Sequence, residues 1–106
     1  MHRVAFIMKL HPGCEEEYRR RHDAIWPELS ALLYDTGIRE YSIFLDEGSM
    51  CLFAYLQIDD ATRLDNLPAH PVMQRWWAFM QDIMETNPDH SPVTNPLKEV
   101  FYLPCK

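Results

Sequence analysis

Two runs rich in β-branched and aromatic residues, IREYSIFLD (Ile38 to Asp46) and MCLFAYLQI (Met50 to Ile58), stand only three residues apart. The connector Glu47-Gly48-Ser49 is short and contains a glycine, so the pair reads as a β-hairpin. The rest of the chain has to be arranged on that ribbon. Ahead of it, Val4, Phe6, Met8 and Leu10 are apolar at every second position, with Arg3 and Lys9 on the other side, which predicts a strand. LKEVFYLP, near the end, predicts a last strand.

Between the first strand and the hairpin lies a helical stretch. His11-Pro12-Gly13 turns the chain, and Glu15 to Glu17 form an acidic first turn that suits a helix start. Tyr18, His22, Ile25, Leu29 and Leu32 follow at helical spacing on one face, and Gly37 suits the helix end. Pro27 interrupts this stretch. It cannot donate to the carbonyl of Asp23 and its ring crowds that group. Because the apolar stripe passes through the proline in phase, we expect one kinked helix with a freed acceptor near His22. The alternative is two helices in tandem, the second starting at Pro27. After the hairpin, Asp59-Asp60 can cap a short helical piece ending near Pro68, and Pro71 can start a second main helix, PVMQRWWAFMQDIME. One stripe of that helix holds Val72, Trp76, Phe79 and Ile83, and the adjacent one holds Met73, Trp77, Met80 and Met84. The loop Thr86 to Pro96 is rich in turn-forming residues.

The order β, α, β-hairpin, α, β is that of an α+β, ferredoxin-like (split βαβ) fold: a four-stranded antiparallel sheet with its helices on one face. The other face is then bare. Two copies stacking their sheets into a dimeric α/β barrel would cover it, so a homodimer is expected.

With 106 residues, 47% of them hydrophobic, the chain can build one compact domain, 1–106, with a real core. A net charge of −6 argues against nucleic acid as a partner. The dense basic run Arg19-Arg20-Arg21 follows three glutamates, which reads as a solvated helix face. Cys14, Cys51 and Cys105 have neither disulfide nor zinc spacing and suit reduced thiols in the cytoplasm. The N-terminal apolar stretch is too short for a signal-peptide core, and no segment is long and apolar enough for a membrane helix.

Chemistry-bearing residues are few. A histidine on an inner helix face is commonly a core residue, but His22 has Tyr18 one turn before it and Trp26 one turn after, beside Pro27. Together they make a polar-tipped aromatic pocket lining. Adjacent Trp76 and Trp77 point about 100° apart on a helix, so one can enter the core while the other faces a cavity. They read either as packing anchors or as a platform for a ring-shaped ligand such as a sugar. Tyr41 shares its sheet face with Ile43 and Leu45, opposite Ile38, and that face looks toward the helices or toward the pocket. The other histidines lack metal-ligand spacing, glycine is too rare for a phosphate loop, and no G-x-S-x-G is present. Imidazole, phenols and indoles alone suit cofactor-free acid–base chemistry on a neutral ligand.

YRRRHDAIWPEL, YSIFLD, QRWW, NPDHSP and EVFYLP, in this order and spacing, resemble the L-rhamnose mutarotase family, over nearly the whole chain up to Pro104. The resemblance implies a dimeric ferredoxin-like fold and a cytoplasmic isomerase that interconverts the α and β anomers of L-rhamnose without metal or organic cofactor. It also implies that His22 is the proton donor and that Tyr18, Tyr41, Trp76 and Trp77 bind the sugar. Its base is not named: water, a tyrosine hydroxyl or a carboxylate could serve. Met73, Trp76, Trp77 and Met80 are candidates for an apolar wall facing the sugar's methyl group. Two other readings use the same scaffold: a cofactor-free monooxygenase, and a non-enzymatic sugar- or haem-binding module anchored by His22.

Overall fold

The computed structural model describes residues 1–105; Lys106 lies outside the described residues. In chain order the elements are β1 (His2–Lys9), α1 (Glu15–Asp23), α2 (Pro27–Asp35), β2 (Ile38–Asp46), β3 (Cys51–Ile58), a 3₁₀ helix (Ala61–Ala69), α3 (Pro71–Met80) and β4 (Asn95–Leu97). The strands form one antiparallel sheet in the order β2-β3-β1-β4. The helices cover one of its faces, giving the ferredoxin-like α+β architecture.

The hairpin forms where the spacing requires it. Asp46 pairs with Cys51, and the turn closes with the Met50 amide donating to the Asp46 carbonyl at 2.8 Å. Met50 takes a positive φ of 60°, and the Ser49 hydroxyl ties back to the Asp46 carboxylate. At the other end of β2 the register shifts between Ile38 and Glu40. Arg39 is the extra residue of this bulge, so the alternation changes phase there. Ile38, opposite Ile58, and Tyr41, opposite Leu56, consequently share the helix-covered face. Strict alternation had placed them on opposite faces.

The helical stretch departs from the expected single kinked helix. Trp26 is extended (φ −61°, ψ 132°), and α1 and α2 are separate helices in tandem. The proline ring drives the preceding residue out of the helical region, while Pro27 itself suits the first position of a new helix. Trp26 then serves as N-cap, its carbonyl accepting from the amides of Leu29 and Ser30 at 3.0 Å each. Continuity of the apolar stripe shows which face is buried; it does not require an unbroken backbone. Gly37, at φ +106°, follows the end of α2 in a conformation that disfavours a side chain.

α3 begins at Pro71 as expected, capped by the His70 side chain, but stops at Met80 rather than Glu85. Beyond it the backbone pairs with the end of β1: the His11 amide donates to Ile83, the Glu85 amide to Lys9, and Met84 bridges Leu10. The Asp60 side chain caps the 3₁₀ helix, which runs through Pro68 to Ala69.

The final strand also differs. Of LKEVFYLP only Leu97 belongs to β4, and the segment after it leaves the ladder. It turns toward Arg3, whose guanidinium binds Glu99 at 2.8 and 2.9 Å and lies over the Tyr102 ring. Val100 and Phe101 are left 88% and 70% exposed.

The core lies between sheet and helices. Met8, Leu10, Leu52 and Ala54 from the sheet meet Leu29, Met73, Trp76 and Met80 from the helices. On the bare face Phe44 stands directly opposite Phe53, and Phe53 opposite Ile7. Phe44 is 66% exposed there. No helix is long and apolar enough to cross a membrane, among the described residues.

Candidate active site

The short helix α1 carries two of the expected residues one turn apart. The Tyr18 and His22 rings stack with centroids 4.3 Å apart, and the His22 ring stands perpendicular to the Trp76 indole with centroids 5.4 Å apart. Trp76 is held in turn by Trp26 at 5.1 Å and Phe79 at 5.7 Å. The break at Pro27 thus brings Trp26 onto the tryptophan that faces the imidazole.

His22 Nδ1 lies 3.0 Å from the Tyr18 carbonyl. A carbonyl only accepts, so Nδ1 carries the proton and Nε2 of the neutral ring presents a lone pair. The acceptor is the carbonyl one turn back, not the Asp23 carbonyl that Pro27 suggested. Burial lowers the pKa of His22, against the opposing effects of the Tyr18 bond and the Asp23 charge. The ring is therefore neutral near pH 7.

Burial, and secondarily the nearby Tyr41, raises the pKa of Tyr18 well above the ordinary phenol value. Burial pushes Tyr41 up to about 12. The Tyr41 residue is 39% exposed, so part of it stands open to the cleft and to solvent. Both phenols stay protonated near neutrality. They can donate hydrogen bonds to a ligand, and neither is a phenolate base.

All five residues singled out in the sequence, His22, Tyr18, Tyr41, Trp76 and Trp77, line one open cleft of about 1460 Å³ between the helices and the sheet. The two tryptophans divide as helix geometry requires. Trp76 is 6% exposed and belongs to the core, with one side on the cleft, while Trp77 is only half-buried. Met73 lines the cleft too, whereas Met80, 2% exposed, is sealed in the core and is no part of the wall. Asn87 and Ser91 of the NPDHSP loop also reach the cleft. Asn87 Nδ2 donates to Ser91 Oγ, so turn chemistry accounts for part of that motif. Among the described residues no three His, Cys, Asp or Glu side chains gather as a metal site.

The sequence reading missed Arg21. Taken as part of a solvated basic face, it is only 10% exposed, whereas the side chains of Arg19 and Arg20 are 86% and 69% exposed. A signal was present: position 21 lies three residues after Tyr18 and four before Ile25, at the edge of the apolar arc.

A ferredoxin-like α+β sheet whose cleft presents one neutral imidazole among polar-tipped aromatics holds the groups for acid–base chemistry on a compact polar ligand. The sequence pattern of the L-rhamnose mutarotase family matches residues 3–103. An L-rhamnose mutarotase of Rhizobium meliloti is 56% identical over 103 residues, covering 97% of this chain and 99% of its own. The crystal structure of an L-rhamnose mutarotase from Formosa agariphila, 47% identical, superposes with a TM-score of 0.92 over 98% of this chain and all of that one. An antibiotic biosynthesis monooxygenase, 15% identical with a TM-score of 0.51, shares the fold alone. The chain belongs to the L-rhamnose mutarotase family, and is an isomerase of the mutarotase kind.

Proposed function

We propose that this chain interconverts the α and β anomers of L-rhamnose, with His22 moving the proton and Tyr18, Tyr41, Trp76 and Trp77 holding the sugar. The observation that carries the assignment is the placement of the imidazole: Nδ1 is satisfied by the Tyr18 carbonyl, and the ring stands in an aromatic cleft against Tyr18 and Trp76.

Ring opening breaks the bond between the anomeric carbon and the ring oxygen, whose electron pair goes to that oxygen. The anomeric hydroxyl loses its proton, and its oxygen becomes the aldehyde carbonyl. The ring oxygen gains a proton and becomes a hydroxyl. The aldehyde turns about one bond, and the reverse steps close the ring on the other face. His22 is the proton donor to the ring oxygen. Since its neutral ring holds its proton at Nδ1, the proton given from Nε2 must first be taken up there. The anomeric hydroxyl is a fitting source, because both oxygens are bonded to the same carbon and one Nε2 can serve each in turn. Positioned proton transfer of this kind contributes about 10²–10⁴-fold. The raised phenol pKa values favour water or His22 itself, rather than a tyrosinate, as the base. Met73 and Trp77 form the wall suited to the methyl group of a 6-deoxy sugar.

The test is exchange between the L-rhamnose anomers followed by NMR saturation transfer. Wild type should accelerate exchange and folded His22→Ala should lose most of that acceleration. An unchanged rate in the variant would remove His22 from the mechanism.

The working unit is a homodimer of 1–106 domains joined through the bare sheet face. The support is the unburied Phe44 and Phe53 pair, a contiguous apolar surface of the kind soluble monomers avoid. Cys14, Cys51 and Cys105 are all free, which suits a reducing cytoplasmic setting.

A further inference from the structure

α1 has only nine residues, and the break at Trp26 means that its orientation is not inherited from α2. A helix that short has little stability of its own, so its rotation about its axis must be fixed by side chains. Tyr18 supplies an apolar anchor on the core side. Arg21 supplies the polar one.

The guanidinium makes four bonds to neighbours on three sides. Nε donates to Glu17 at 2.6 Å within α1. Nη1 donates to the Phe79 carbonyl and to Asp82 Oδ1, each at 2.8 Å, and Nη2 donates to Asp82 Oδ2 at 3.1 Å. The Asp82 contact is a bidentate fork, which sets direction as well as distance. The guanidinium carbon also stands 4.6 Å over the Phe79 ring, and that ring packs on both Trp26 and Trp76. Among the described residues this is the only polar link between α1 and the segment 71–83. The Arg21 bond is the main influence holding the Asp82 carboxyl below its ordinary pKa, and it contributes after Arg20 to lowering Glu17 to about 2.

His22 is the next residue. Side chains one position apart diverge by about 100° around a helix. Pinning the Arg21 side of α1 to the end of α3 therefore fixes the direction in which His22 points. The same guanidinium steadies, through Phe79, the tryptophan that stands perpendicular to His22. We infer that Arg21 is a positioning residue for the reaction: its tie to Asp82 and Phe79 holds the His22 imidazole in register with Trp76 and the sugar. It acts through His22 and does not touch the substrate. The inference rests on the reading of His22 as the proton-transfer residue.

The test compares Arg21→Met, Arg21→Lys and Asp82→Asn with wild type, following both anomer exchange and the NMR resonances of the His22 ring protons, which Trp76 shifts. In Arg21→Met the apolar stem can still cover Phe79 while the fork is lost. We expect kcat to fall by about tenfold or more, since a 1 Å misplacement at an active site can cost about 10²-fold. KM should change little, and the His22 ring resonances should move. Arg21→Lys should recover part of the rate, because an ammonium can reach Asp82 without reproducing the fork. Wild-type kcat in folded Arg21→Met would overturn the inference, whatever the melting temperature, and so would unmoved His22 resonances. If Arg21→Met does not fold, Asp82→Asn, at a side chain 62% exposed, is decided by the same two readings. Placing Arg21→Met in a His22→Ala background separates the two claims. There it should cost nothing further, whereas a wild-type rate in His22→Ala alone would sink the proton-transfer reading and leave the ring resonances to judge the placement.

Discussion

His22 is set by three neighbours: a carbonyl one turn back, a phenol ring stacked on it and an indole perpendicular to it. Because burial lowers its pKa, the ring stays neutral as pH falls through the ordinary imidazole range near 6.5 and charges only below it. A mechanism that starts from neutral Nε2 therefore keeps its rate through that range. The acid limb of kcat/KM against pH should have its midpoint below about 6.5, and a midpoint above that would contradict the neutral starting state. On the alkaline side Tyr18 and Tyr41 are both raised, so no tyrosine limb should appear below about pH 10. Tyr18→Phe keeps the stack under His22 and removes only the hydroxyl. It should cost about 0.5–1.5 kcal/mol of sugar binding, read as a roughly two- to tenfold rise in KM with the fold unchanged.

Among the elements, the α1–α2 pair shows how one residue divides a helix. Pro27 fixes its own φ, and its ring holds Trp26 extended. Pro27→Ala should lower stability by about 0.4–1 kcal/mol through the greater freedom of the unfolded chain, measured by urea denaturation. Gly37 ends α2 at φ +106°, with the Arg63 guanidinium and the Asp59 and Ile58 side chains just beyond where a Cβ would sit. The space would admit a methyl group, but the backbone conformation would not. Gly37→Ala should cost at least about 1 kcal/mol in the same assay. The early end of α3 has a different cause. Residues 83–85 hydrogen-bond with the end of β1, so strand pairing outweighs the helical period of PVMQRWWAFMQDIME.

For the molecule as a whole, the notable feature is what one chain leaves uncovered. Phe44, Phe53 and Leu97 are 66%, 39% and 43% exposed on the sheet face away from the helices. A charge at the centre of a stacked sheet interface would be buried without a partner. Phe44→Lys should therefore halve the mass seen by light scattering at micromolar concentration, while circular dichroism stays that of a folded chain. A wild-type mass would show that copies associate elsewhere or not at all.

The element order was legible in the sequence, and the five residues singled out there line one cleft. Period-two runs, the Glu47-Gly48-Ser49 connector and helical spacing are local properties of a chain, and they suffice to order strands and helices. His22 stood out through its aromatic neighbours Tyr18 and Trp26, and Trp76 and Trp77 as adjacent indoles, whereas Tyr41 joined them through the family resemblance. Tertiary structure decided the rest. Pro27 biases Trp26 toward an extended backbone locally, and contact with Trp76, fifty residues away, is what the divided form adds over a mere kink. That Ile38 joins Tyr41 on the helix-covered face depends on a bulge at Arg39, which exists only once β2 and β3 pair. The buried role of Arg21 requires Asp82 and Phe79 to arrive from α3 and the turn after it. Each of these is a competition between a local preference and a contact made across the fold, and a one-dimensional pattern contains only the first of the two.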